Sequence, residues 1–178
     1  SLARDWFVNV QKRKRLLSGT NSKLNEAVKI VKEHDKERIM IFSETISSID
    51  KLKQLLDRNG IASRTIHNSI NSKKRNEILQ SWGKEYFPLL SVHTLEIGYD
   101  IPDVRIAIII ASTASISQIS QRIGRVIRKT EQKNIALIYI IYVNDTSEGN
   151  ILKMAKSAIY KSGGGSNIGV QRELIFGE

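Results

Sequence analysis

Cysteine is absent from this 178-residue chain, which excludes a disulfide framework and a thiolate metal site. Three scattered histidines leave no zinc-ligand spacing in its place. No apolar run approaches the roughly 20 residues needed to cross a bilayer, and the N-terminus lacks the basic-then-apolar layout of a signal peptide. An intracellular protein without membrane contact is expected. Also missing are G-x-x-x-x-G-K-[ST] and any D-E-x-H or D-E-A-D run. The glycine-rich stretch at 163–167 lacks the lysine that would bind β- and γ-phosphates, so neither a phosphate cradle nor a magnesium holder is written into this chain. Acidic charge is in short supply too. Eighteen Asp and Glu face 28 Lys and Arg, and the net charge of +10 favours a polyanionic partner such as nucleic acid.

What is present is globular composition, 40% apolar and 26% charged, at a length that suits one domain with a substantial core. Residues 1–37 read as two helices separated by Gly19, the second capped at Ser22 and carrying Leu24, Ala27, Val28 and Val31 at helical spacing. The run Lys12 to Arg15 is read as a solvated helix face. From residue 38 strand and helix alternate. Apolar strands are expected at 38–42, 62–66, 88–93, 104–110 and 134–141. Helices are expected at 45–59, closed by Gly60, at 72–82, capped by Asn71 and closed by Gly83, at 118–129, and from about 146 to 161. This order predicts an α/β domain, a parallel sheet of at least five strands with helices on both faces, whose ligands sit at the carboxyl ends of the strands.

Two of the expected strand-end segments carry chemistry. In QISQRIGRVIRK, residues 118–129, an advance of about 100° per residue places Gln121, Gly124, Arg125 and Arg128 on one side of a helix. Ile116, Ile119, Ile123 and Val126 fall on the other and can bury. Such a helix seats itself by its isoleucines and presents two arginines to an anion, with no side chain at Gly124 to block close approach. In HTLEIGYDIP, residues 93–102, Thr94 can offer a hydroxyl and nearby N–H groups to a phosphate, Gly98 permits a backbone conformation closed to other residues, and Pro102 stiffens the exit.

Q-x-x-G-R-x-x-R, here Gln121, Gly124, Arg125 and Arg128, resembles motif VI of superfamily 2 helicases and translocases. T-L-E-I-G-Y-D-I-P-D-V resembles motif V of the same enzymes, and the two stand in the family's order. RIMIFSET resembles motif IV, and SRTIHNSI with Asn71 to Arg75 resembles the next loop and helix start. The resemblance covers about residues 36–160. It implies the second, C-terminal RecA-like domain of a helicase, with 1–35 a helical extension and 162–178 a linker and tail.

The resemblance also implies roles. Arg125 and Arg128 reach the γ-phosphate of ATP held with Mg by a facing N-terminal RecA-like domain of the same polypeptide. Gly98, Asp100 and Gln121 line the nucleotide, while Phe42, Ser43, His67, Arg75 and Thr94 lie near the nucleic-acid backbone. Gln121 replaces the histidine that opens motif VI in DEAD-box RNA helicases, and E-x-G-x-D-x-P is closer to the XPB-like DNA helicases and restriction translocases, so DNA is expected over RNA. With only half of a phosphoryl-transfer site, the chain by itself is expected to be inactive. The competing reading is a non-catalytic nucleic-acid or protein-binding module that keeps the fold.

Overall fold

The computed structural model describes residues 21–92, 104–110, 137–142 and 157. In chain order these residues form α1 (Asn21–Glu33), β1 (Ile39–Ser43), α2 (Ile46–Arg58), β2 (Arg64–Ile66), α3 (Ser72–Ser81), β3 (Pro88–Val92), β4 (Ile106–Ile110) and β5 (Leu137–Ile141). The helix expected before Gly19, that at 118–129, and that from 146 to 161 apart from Ser157, fall outside the described residues. All strand pairs are parallel, in the order β2-β3-β1-β4-β5. The expected α/β architecture is therefore present.

The strands are apolar along their whole length because the sheet is covered on both sides. Along β1 and β4, Ile39, Ile41, Ile106, Ile108 and Ile110 face one layer, while Met40, Phe42, Ala107 and Ile109 face the other. Leu24, Val28 and Val31 of α1 and Ile49, Leu52 and Leu56 of α2 close the first layer. Ile78 of α3, followed by Trp82 and Tyr86, closes the second around Leu89. Trp82 is fully buried and donates from Nε1 to the Phe87 carbonyl at 2.6 Å, so its one polar atom is satisfied inside the core.

Local chemistry sets the helix ends. Thr45 caps α2, its Oγ1 accepting from Ser48 N–H at 3.2 Å, and Asn71 caps α3, its Oδ1 accepting from Lys74 N–H at 2.9 Å. At the exit of α2, Gly60 at φ 71° donates to the Asp57 carbonyl and Ile61 to that of Leu56, the paired bonds of a Schellman turn. Gly83, at φ 81°, lies directly under the Arg38 side chain, where a Cβ would come within 2.2 Å of Nε. Several expected bounds shift, β1 running from Ile39 to Ser43 and β4 beginning at Ile106 and not at residue 104. Ser22 lies inside α1, which already includes Asn21, so it is no cap. The second strand is three residues long, since only Arg64–Ile66 find partners on β3.

Candidate nucleic-acid interface

In the observed strand order the chain leaves β1 toward β2 and leaves β4 toward β5, so connections diverge from two neighbouring strands. Divergence of this kind opens a crevice at the carboxyl ends, here those of Ser43 and Ile110. Segment 93–103 departs from Val92 at the end of β3, on the other flank of β1, and segment 111–136 departs from Ile110. These segments hold Thr94, Gly98, Asp100, Gln121, Arg125 and Arg128, all outside the described residues.

The four described candidates separate by burial. Phe42 is 4% exposed within the α3-side layer, so its side chain serves the core. Ser43, the last residue of β1, is 2% exposed, and its Oγ has no hydrogen-bond partner. Thr45, two residues further on, has its hydroxyl engaged in capping α2, where it also donates to Ser48 Oγ at 2.8 Å. The residue exposed at this corner is Ile46, the first of α2 and the only large apolar residue exposed among those described.

His67 is half-buried, with Nδ1 buried and without a partner. Its carbonyl accepts from Ile70 N–H at 3.1 Å, forming a turn with Asn68 and Ser69 exposed at the tip. Arg75 is buried, and its Nη2 donates back to the Ile70 carbonyl at 3.2 Å. The structure therefore brings His67 and Arg75 together around one turn, and sets Phe42 and Ser43 behind the surface.

Sequence reading overlooked the side chains that do reach solvent. Lys73 and Lys74 are exposed on the first turn of α3, which carries no acidic residue. Cations there oppose the helix dipole, and a capped helix beginning S-K-K-R is the sequence signal that marks them. Near the exit of α3, Arg64 lies over the Tyr86 ring, 5.7 Å from its centroid. Burial raises the Tyr86 hydroxyl to about 12, while the Ser81 hydrogen bond and the nearby Arg64 charge pull it down more weakly. Among the described residues, no cluster of three His, Asp or Glu is placed to hold a metal ion, and no helix is long and apolar enough to cross a membrane.

Comparison with known proteins bears directly on these segments. Residues 22–130 match the helicase conserved C-terminal domain, a span that includes the whole of segment 93–103 and the whole of the 118–129 stretch. A putative ATP-dependent RNA helicase of Methanocaldococcus jannaschii, MJ1505, is 31% identical over 147 residues, covering 78% of this chain and 18% of that protein. The DNA 3'-5' translocase XPB2 of Sulfurisphaera tokodaii is 25% identical over 130 residues, covering 72% of this chain and 28% of its own length. The chain thus spans less than a third of either relative. The C-terminal domain of the DEAD-box protein Dbp5 superposes with a TM-score of 0.63 at 19% identity, over 79% of this chain and 80% of that domain, which establishes the RecA-like fold. An RNA helicase and a DNA translocase stand at similar distance, so the comparison does not single out the XPB-like type. With more than half of its length matched to one domain, this chain belongs to the helicase conserved C-terminal domain family of superfamily 2.

Proposed function

We propose that the chain is the C-terminal motor half of an ATP-dependent helicase or translocase acting on DNA. The reading is carried by the coincidence of the matched span with both arginine- and threonine-bearing segments, which leave the sheet at the carboxyl ends of strands flanking β1. Bound ATP and Mg supply the transferable phosphoryl group and its charge neutralisation, and both are held mainly by a facing N-terminal RecA-like domain. Arg125 and Arg128 add positive charge where negative charge develops, a contribution of about 10³ to 10⁵ in rate for such arginines. Gly98, Asp100 and Gln121 line the nucleotide from this side. Because the arginines add affinity only when the domains close, ATP favours closure. Thr94, with the loops after β1 and β2, holds the strand through its backbone, which makes the grip indifferent to base sequence.

The test is kinetic. In a protein that also carries the ATP-holding domain, Arg125→Ala and Arg128→Ala each lower kcat strongly while ATP binding in the open state is retained, as expected when a charge acts in the transition state. Arg122, about 100° away from Gln121 around the helix, is the control and costs less. If Arg122→Ala abolishes turnover and the other two do not, the helix is oriented differently and the assignment fails. Stimulation by single-stranded RNA in preference to DNA would overturn the choice of nucleic acid. The 178-residue chain alone shows no nucleic-acid-stimulated ATPase in this reading.

A further inference from the structure

Arg75 occupies an unusual place for a cation in a nucleic-acid-facing corner. Its neighbours on the first turn of α3, Lys73 and Lys74, are exposed, yet Arg75 retains only 7% exposure. Removing a guanidinium from water is costly unless the protein supplies hydrogen-bond acceptors in exchange. One is the Ile70 carbonyl, which accepts from Nη2 at 3.2 Å. That carbonyl belongs to a segment already tied at two other points. Ile70 N–H donates to the His67 carbonyl, and Arg75 N–H donates to that of Asn71 at 3.0 Å.

The two ends of Ile70 are therefore held from opposite directions, N–H by the residue that follows β2 and C=O by the helix that comes next. Ile70 itself packs against the α3-side core layer. The result is a turn whose exposed residues, Asn68 and Ser69, lead into a residue, Ile70, that is tied both to His67 and to α3.

We infer that Arg75 is a positioning residue, whose buried guanidinium holds the 67–71 turn in register with α3, and that it makes no contact with a strand phosphate. The inference rests on the nucleic-acid reading above for its functional consequence. Any strand contact by this corner is made by the exposed atoms of the turn and helix start. Arg75 then affects affinity through order in the turn, and not through its own charge.

The two roles separate by salt dependence. A cation that neutralises a phosphate contributes about one to the slope of log affinity against log salt, and a residue acting through the turn contributes nothing to it. In the intact protein, binding of a fluorescein-labelled single-stranded DNA oligonucleotide is titrated across a salt series for the unaltered chain, Arg75→Gln and Arg75→Lys. Arg75→Gln is expected to weaken binding roughly tenfold, the scale of one charge-assisted hydrogen bond, with the slope unchanged and amide exchange at Ile70 accelerated. Arg75→Lys, which keeps a long donor, restores both affinity and protection at Ile70.

A slope reduced by about one in Arg75→Gln overturns the inference, because the charge then meets a phosphate. So does unaltered affinity alongside accelerated exchange, which would make the clamp structural only. Arginine-directed dicarbonyl labelling of the unaltered protein needs no variant to fold. Arg75 stays unmodified with or without oligonucleotide if it is buried and positioning, and an Arg75 that reacts when free and is protected by oligonucleotide refutes the inference. Should the unaltered protein show no salt-dependent binding at all, the nucleic-acid reading falls and this inference with it.

Discussion

Helices α2 and α3 leave successive strands, carry an Asx or threonine cap each, and behave oppositely. α2 buries Ser48, Ile49, Leu52 and Leu56 against β1 and β3, and its dipole is complemented by Arg58 in the last turn. α3 buries Arg75 and Ile78 alone, has lysines where acids would suit the dipole, and has no basic residue in its last turn. The first helix holds the sheet. The second is held by what lies around it, by Trp82 and Tyr86 at its exit and the Ile70 turn at its start. A segment supported in this way can keep a polar, cationic surface that its own packing would not justify, because its stability comes from neighbours and not from an apolar stripe.

The widest separation between the two is expected in the core. Leu52, fully buried between α2 and the sheet, should cost about 2–5 kcal/mol when replaced by alanine, read as a lowered urea midpoint with the slope retained. A value below about 1 kcal/mol would mean that α2 is no more essential to the fold than α3.

Next in size is an alkaline effect at the exit of α3. Tyr86 donates its hydroxyl to the Ile78 carbonyl and is raised by burial to about 12. Its folded value lies above the ordinary 10, so the stabilisation is complete below pH 10 and is lost as pH rises from there through 12. Two pH units at about 1.4 kcal/mol each make this a loss on the order of 3 kcal/mol, and Tyr86→Phe should flatten the stability profile over that window. An unchanged profile would remove the claim that α3 depends on this anchor.

The caps should match despite the contrast between the helices. Thr45→Ala and Asn71→Ala are each expected to lower stability by about 1 kcal/mol, since each leaves one first-turn N–H without its side-chain acceptor. A much larger loss for Asn71→Ala would show that the turn before α3, and not the helix, is what the cap secures.

The smallest effect is the most diagnostic. Lys73→Glu places an acid in the first turn of α3 and should raise stability by about 0.3–1 kcal/mol in thermal melts at low salt. If α3 presents its cations to nucleic acid, the same change weakens oligonucleotide binding. Improved stability with unchanged binding would reduce those lysines to an ordinary solvated face.

Much of this contrast was legible in the residues, and the reason is range. Caps and exits depend on a few neighbouring atoms, so Asn71, Gly60 and Gly83 could be placed from sequence. The apolar runs IMIF and IAIII are too short and too unbroken to be anything but strands buried on both faces. Ser22 misled because a plausible cap signal does not show that Asn21, just before it, is already helical. Residues 62 and 63 misled because extended residues become a ladder only where a neighbour offers partners, and β3 offers them from Leu89.

The family, the order of its motifs and the types of side chain they carry were determined by sequence alone, since motif spacing and helical periodicity survive without any knowledge of contacts. Strand order and the burial of the described candidates, Phe42, Ser43, His67 and Arg75, were decided only by tertiary structure. Arg75 and Lys74 are adjacent cations on one helical turn, chemically interchangeable to a sequence reader, and the fold buries one and exposes the other. The difference lies in the Ile70 carbonyl five residues back, which the turn after β2 brings within reach of one side chain. Burial of a charge is settled by whether such an acceptor is brought to it, and that depends on how the chain returns on itself.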